Sequence, residues 1–308
     1  MTIVVAGHTG LVGSAILELL EEKGQSVVGV NSSVVDLLNR KSTFDFMKDL
    51  KPEIVIDAAA IAGGIGFNNS KPVNFISNNL QIQTNIMDAS FAANVERFIF
   101  LGSSCIYPRE CPQPIKEEYL MTGKLEATNS AYAVAKIAGM EMIKAYRRQY
   151  GKKWISLMPT NIYGPRDNFN EETAHVIPAL ISKFIKARDR GDDSVQLWGS
   201  GSPRREFLNS SDLAEAIYFS IENFDSDDHL NVGSGTDVTI KELSVLIADF
   251  AGFKGQILWD QSKPDGTPRK LLDISRILEI GWSPKISLSE GIHQTIDWYE
   301  DNRDRVRS

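Results

Sequence analysis

Short apolar, β-branched runs recur along the first half of the chain, and each is followed by a stretch whose apolar positions repeat at helical spacing. TIVVA (2–6), SVVGV (26–30), EIVID (53–57), RFIFL (97–101) and WISLM (154–158) predict strands. LVGSAILELLEEKG, KSTFDFMKDL, the stretch 72–93 and AYAVAKIAGMEMIKAYRRQYG predict the intervening helices. This alternation implies right-handed βαβ units and an α/β fold, a Rossmann-like doubly wound parallel sheet with helices on both faces. Such sheets bind ligands beyond the carboxyl ends of their strands, so the loops after residues 6, 57, 101 and 158 come into focus.

Beyond residue 165 the pattern loosens. A helix-like stretch at 175–190 precedes VQLWG (195–199), REFLN (205–209) and the helical SSDLAEAIYFSIENF. LNVG, a helix from Thr239, the turn-rich KPDGTP and a closing helix at 288–302 follow. The expected organisation is a dinucleotide-binding domain over 1–165 with a return segment at about 195–222. A smaller, partly interleaved α/β substrate domain takes 166–194 and 223–308.

Composition narrows the function classes. A formal net charge of −7 argues against a nucleic-acid partner, because phosphate backbones call for a basic footprint. Two cysteines are too few for a disulfide scaffold, and paired His/Cys spacing for a metal is missing. No apolar run approaches the ~18 residues of a membrane span. TIVVA is too short for a signal peptide, so a cytoplasmic location without membrane or metal is the expectation.

Candidate chemistry begins at AGHTGLVG. Gly7, Gly10 and Gly13 frame Thr9, Leu11 and Val12 directly after a strand and at the opening of a helix. Glycines there allow a tight turn and close backbone approach, and the helix N-terminus receives a pyrophosphate. The second strand ends in Asn31, Ser32 and Ser33, which supply neither the acid of an NAD site nor an arginine for a 2′-phosphate. Asp36 is the nearest acid, and cofactor preference stays open.

AYAVAK sets Tyr132 and Lys136 on one helix face. A phenol titrates near ~10, and an adjacent ammonium is expected to lower that value and make a usable proton donor. Alone, the spacing describes a solvated helix face. With the glycine loop and Ser103 after a strand, it points to hydride transfer at a carbon bearing oxygen. GSSCIYP also carries Cys105, two residues beyond that serine. By itself, Cys105 reads as a small apolar filler and His175 as a helix-cap or packing residue.

GSSCIYP, AYAVAKIAG, PTNIYGPRDNF, HVIPALISKF, WGSGSPRREFL and KPDGTPRKLLD together resemble the extended short-chain dehydrogenase/reductase family, specifically its members acting on GDP-4-keto sugars. The resemblance spans essentially the whole chain. It implies 3,5-epimerisation of GDP-4-keto-6-deoxy-D-mannose and NADPH-dependent reduction at C4, yielding GDP-L-fucose. Ser103 and Tyr132 would hold the C4 oxygen, with Lys136 supporting the tyrosine and cofactor. Cys105 and His175 match the epimerisation acid/base pair, a thiol (~8.5) and an imidazole (~6.5) that bracket neutral pH. Leu101, Gly102, Asn161 and Ile162 fall at cofactor positions, the last two beside the nicotinamide. Lys183, Trp198, Arg205, Asp265 and Lys270 match GDP-sugar contacts.

The implied cofactor is NADP(H). NAD(H) stays open, because Thr9 and Asn31–Ser33 stand where arginines are expected near the adenosine phosphate. The resemblance further implies a homodimer built on 72–93 and 130–150. Other readings are an enzyme for a dideoxy or heptose GDP-4-keto sugar, a sugar 4,6-dehydratase, a simple 4-epimerase, or a non-catalytic NADP-binding sensor. A dehydratase would carry an Asp–Glu pair at Cys105–Ile106, and a simple 4-epimerase lacks the Cys/His pair. A sensor usually loses the tyrosine or the lysine.

Overall fold

The computed structural model describes every residue except Glu172, Pro264, Arg307 and Ser308. Pro264, within the expected turn KPDGTP, therefore lies outside the described residues. The first half runs β1 (Thr2–Ala6), α1 (Leu11–Glu22), β2 (Ser26–Val30), α2 (Arg40–Leu50) and β3 (Ile54–Asp57). It continues through α3 (Ile65–Ser70), α4 (Pro72–Ala92), β4 (Arg97–Leu101), α5 (Ser130–Tyr150) and β5 (Ile155–Pro159). All four residues of β3 and all five of β4 and of β5 are buried, as a sheet covered on both faces requires.

The second half runs β6 (Asn161–Tyr163), α6 (Val176–Arg190), β7 (Ser194–Trp198), β8 (Arg204–Asn209), α7 (Ser210–Asn223) and β9 (Leu230–Val232). It closes with β10 (Asp237–Thr239), α8 (Ile240–Phe250), β11 (Gln256–Asp260), β12 (Arg269–Lys270), α9 (Ser275–Glu279) and α10 (Leu288–Asp301).

The main sheet is parallel, in the order β2-β1-β3-β4-β5-β9. The direction of winding reverses between β1 and β3, and this opens a crevice at their carboxyl ends. LNVG supplies the sixth strand. A second sheet has the order β10-β8-β12, with β6 also on β8, and β7 pairs with β11 separately.

Helix boundaries follow local chemistry. Asn39 caps α2 by accepting the Ser42 N–H, and Thr239 with Glu242 forms a capping box at α8. Gly151 and Gly191 end α5 and α6 in the left-handed region. The expected helix 72–93 is preceded by the short α3, and Pro72 opens α4, where its missing N–H costs nothing. WISLM slides by one residue: Trp154 lies outside the ladder and packs its ring, tilted, against Phe98 with centroids 5.1 Å apart. Among the described residues, no helix is long and apolar enough to cross a membrane.

Two hydrophobic cores result. The first surrounds the six-stranded sheet and recruits Leu208, Ile217, Leu230, Leu272 and Trp282 from late in the chain. The second gathers Phe169, Phe184, Leu197, Ile247, Ile292 and Tyr299. Glu206 ties them together. It is fully buried, accepting the Gly235 N–H on Oε1 at 2.7 Å and the Leu272 N–H on Oε2 at 2.9 Å. Its carbonyl accepts the Asn161 side-chain amide at 2.8 Å.

Glu206→Ala strands the buried Leu272 N–H and the part-buried Gly235 N–H, the buried one costing about 1–3 kcal/mol and the other less. The expected loss is about 2–4 kcal/mol in urea unfolding. A loss below about 0.5 kcal/mol, the usual range of a surface substitution, would contradict this role.

Candidate active site

The glycine loop is built by close approach. Gly7 has φ +81° and donates to the Val30 carbonyl at 2.7 Å. A Cβ on Gly7 would come within 2.8 Å of the Ala58 oxygen, and one on Gly13 within 2.2 Å of the Gly7 oxygen. Only hydrogen fits at either position. The first intrahelical bond of α1 runs from Ser14 N–H to Gly10, so the N–H groups of Leu11, Val12 and Gly13 have no intrahelical acceptor. That cradle fits a dinucleotide pyrophosphate. The His8 ring lies against Gly29, where a Cβ would come within 2.5 Å of it.

At the end of β2, Asn31 is occupied as a turn former. Its Oδ1 accepts the Ser33 N–H at 3.0 Å, the Ser33 hydroxyl at 2.7 Å and the Val34 N–H at 3.2 Å. Of the hydroxyls and amides expected to face a 2′-phosphate, the Ser33 hydroxyl is thus already engaged. The Asn31 amide nitrogen and the exposed Ser32 remain as donors. Asp36 accepts the Leu38 N–H and stays in its own turn. Thr9 is exposed.

The candidate serine–cysteine–tyrosine–lysine cluster forms where β4 ends. A Cβ on Gly102 would lie 2.3 Å from the Met158 sulfur, so the chain turns here without a side chain. Ser103 opens a short 3₁₀ turn, and its Oγ accepts the Cys105 N–H at 3.2 Å. Hydroxyl and thiol are therefore held in one turn. Lys136 is buried on α5, where its Nζ donates to the Leu101 carbonyl at 2.8 Å and lies 4.8 Å above the Phe100 ring. The same nitrogen is 5.9 Å from the Tyr132 ring centroid, and Tyr132 meets Phe75 edge to face.

One electrostatic expectation is overturned. The Tyr132 phenol is pushed well above its ordinary value rather than lowered, first by burial and then by repulsion from Cys105. Lys136 contributes little because its ammonium is directed to the Leu101 carbonyl, and burial pulls its own pKa down while Asp57 opposes that.

Cations arrive from the second sheet. Lys270 on β12 is the register partner of Arg205 on β8, and its Nζ lies 3.7 Å from the Cys105 sulfur. Sequence reasoning had Lys270 only as a sugar-nucleotide contact. Arg204 pairs with Asp237 at 2.8 Å, whereas Arg205 has no carboxylate ion-pair partner among the described residues. Burial lowers the Arg205 pKa, with Glu126 opposing. Asn161 and Ile162 lie on β6 beside β8.

The remaining expected residues are engaged elsewhere or stand open. Lys183 donates to the Gln196 carbonyl at 2.8 Å, and Asp265 accepts the Ser200 N–H at 2.9 Å and its hydroxyl at 2.7 Å. Trp198 is 74% exposed, with Lys263 5.7 Å from its ring centroid. Among the described residues, no hydrogen bond or ion pair joins these three to the serine–cysteine–tyrosine cluster. His175 takes the N-cap position of α6 without a side-chain cap bond, so it is not a capping residue. The residue as a whole is exposed, yet enough protein surrounds its imidazole for desolvation to lower its pKa. A cavity of about 630 Å³ lined by Glu117, Lys144, His229 and Arg276 contains none of the expected residues.

Buried carboxylates escaped the sequence reading, Asp57 and Asp167 among them. Asp57, ending β3, is raised to about 6 by burial. Asp167, in the GPRDNF segment, is raised to about 7 by the same cause. The signal for Asp57 was an acid closing an otherwise apolar strand.

The family model for the NAD dependent epimerase/dehydratase family matches residues 3–233. GDP-L-fucose synthase 1 of Arabidopsis thaliana is 50% identical, over 97% of this chain and 93% of its own length. GDP-L-fucose synthase of Escherichia coli (strain K12) is 44% identical, over 99% of this chain and 98% of its own. The solved structure of a GDP-mannoheptose C4 reductase from Campylobacter jejuni with NADP bound superposes with a TM-score of 0.89 at 36% identity, covering 97% of this chain and 98% of that one. Glycine cradle, parallel sheet and whole-length similarity agree: the chain belongs to the NAD dependent epimerase/dehydratase family.

Proposed function

We propose that the protein is a bifunctional epimerase/reductase converting GDP-4-keto-6-deoxy-D-mannose to GDP-L-fucose, with NADPH, in the cytoplasm. The observation that carries this reading is the thiol of Cys105, held in the Ser103 turn and touched by the Lys270 ammonium. A pure reductase needs the serine, tyrosine and lysine but has no use for that thiol. The 44–51% identity to several GDP-L-fucose synthases supports the same substrate. We further infer a cofactor unit around the first core and a substrate unit around the second.

Protons at C3 and C5 flank the C4 ketone and are acidic because the resulting carbanion delocalises onto that oxygen. Cys105 and His175 remove and return them on opposite faces. The Ser103 hydroxyl and Tyr132 phenol donate to the C4 oxygen and hold the enolate charge. NADPH, cradled by the Gly7–Gly13 loop, supplies the hydride to C4 when bound. Tyr132, kept protonated by its raised pKa, gives its proton to the C4 oxygen, and Lys136, 5.9 Å from its ring centroid, is the cation nearest the phenol on the same helix. Arg205 is poised for the diphosphate, being a desolvated guanidinium that makes no carboxylate ion pair among the described residues. A second reading, reduction of a GDP-4-keto heptose, draws support from the heptose reductase likeness.

Two variants separate the chemistries. Tyr132→Phe should lower reduction about 10²–10⁴-fold with dinucleotide binding nearly unchanged. Cys105→Ser should slow deuterium exchange at C3 and C5 about 10²-fold or more, read by NMR in deuterated water with NADP⁺ and no reductant. Near-normal turnover removes Tyr132 from the mechanism, and wild-type exchange leaves Cys105 as packing.

NADPH should be used, because the Asn31 amide and Ser32 can donate to a 2′-phosphate and no acid there repels it. Discrimination against NADH should be weaker than a bidentate arginine gives. A kcat/KM clearly higher with NADH would overturn this.

The chain should form a homodimer across α4 and α5. Phe75, Ile86, Met140 and Ile143 are buried within one chain and Ile82 and Met142 pack partly against the same core, which leaves Ile76 and Leu80 with the exposed Val73 and Val134 for a partner. Light scattering at micromolar concentration should give twice the chain mass, and a monomer mass would refute it.

A further inference from the structure

We propose that Asp57 is a positioning residue for the reduction, the buried counter-charge that keeps the Lys136 ammonium beside Tyr132. The inference deepens the function proposed above and rests on it for the role of Lys136.

The geometry begins with the sheet. Asp57 on β3 is the register partner of Phe100 on β4, so both side chains emerge on the same face. The Lys136 Nζ lies 4.8 Å above that Phe100 ring and donates to Leu101, the next residue of β4. Asp57 is 0% exposed. Its Oδ1 accepts the Ala59 N–H at 3.2 Å, while its buried Oδ2 has no hydrogen-bond partner. A buried carboxylate with one idle oxygen is costly unless a cation stabilises it.

That cation is Lys136. Each is the other's source of charge attraction, without a direct ion pair among the described residues. α4 carries one acid, Asp88, which is bound by Arg40 and Tyr146, and among its buried polar side chains are the uncharged Asn79 and Gln83. Their bonds run to Ile61 and Phe75, and to the Ala135 carbonyl. From α5 come Lys136 and Tyr132, and β4 carries no charged residue beyond Arg97, which is bound at the opposite end by the carbonyls of Lys153, Ser220 and Phe224. The loop holding Asp57 is fixed by Ala58 N–H to Ala6 at 3.0 Å and by Asn79 gripping Ile61 at both its N–H and its carbonyl. The carboxylate therefore cannot move away from the lysine.

The arrangement sets a pH window. Burial raises Asp57 to about 6, so it is ionised at neutral pH and opposes the loss of the Lys136 proton. A carboxyl raised in the folded state contributes stability below its unfolded value and loses it as pH rises through about 6. Asp57→Asn should accordingly gain in Tm relative to the wild type as pH rises through that value. In catalysis the sign is opposite, because without the carboxylate Lys136 loses its proton at lower pH.

The test follows NADPH-dependent reduction of a GDP-4-keto sugar by full-length Asp57→Asn across pH, with KM and kcat separated. The alkaline limb of kcat should move toward neutrality by about one pH unit, with KM for the sugar unchanged. A profile superimposable on the wild type overturns the proposal. Asp57→Leu carries the same comparison if the Asn variant does not fold. A double-mutant cycle of Asp57→Asn with Lys136→Met, read by urea unfolding at pH 7.5, should show coupling of about tenfold in the unfolding constant. Zero coupling overturns the proposal independently of activity. A wild type that reduces no GDP-4-keto sugar sinks the functional reading, and the cycle still decides Asp57.

Discussion

The carboxylate of Glu206 is the interaction on which the rest of the arrangement depends. It sits on β8 between the two cores and satisfies backbone donors from two separate returns of the chain, at Gly235 and Leu272. Its neighbour Arg205 and the register partner Lys270 are thereby set at a fixed height above the Cys105 turn. Its carbonyl also holds Asn161, at the start of β6. One buried residue thus holds β6 through its carbonyl and, through its carboxylate, the returns of chain that flank the cations. Burial raises its pKa, and the two N–H donors oppose that, so the anion is held by directed bonds rather than by solvent.

Much of this was legible from pattern. RFIFL and TIVVA occupy the expected residues as β4 and β1, because a covered parallel strand announces itself as an apolar run between turn residues. The glycine spacing of the α1 loop was equally readable, since no other residue survives the approaches at Gly7 and Gly13. QILWD was missed as a strand. β11 pairs only with β7 and is half-buried, so its composition lacks the signature of a central strand. β6, β10 and β12 are two or three residues long and owe their existence to β8.

The site was legible as a list of residue types, less so as electrostatics. Four-residue spacing places Tyr132 and Lys136 on neighbouring turns, but it says nothing of where a long side chain ends. The Leu101 carbonyl, brought in from β4, decides that. Burial then reverses the sign of the tyrosine's shift. Lys270 lies far from Cys105 in sequence, and only the pairing of β12 with β8 reveals their contact. Lys183 and Asp265, by contrast, spend their polar groups on holding their own segments in place.

The position of β9 has a consequence for how the protein is made. Leu157–Pro159 of β5 pair with Leu230–Val232, and the intervening chain has to build α6, β7, β8 and α7 before that partner emerges. Until then a nascent polypeptide carries β5, every residue of which is buried in the finished molecule, with one flank of backbone donors and acceptors unmet. An apolar strand edge left open in this way can recruit the wrong strand, from its own chain or from another. Translation speed between β5 and β9, and shielding of the emerging chain over that interval, therefore bear directly on the yield of correctly folded protein.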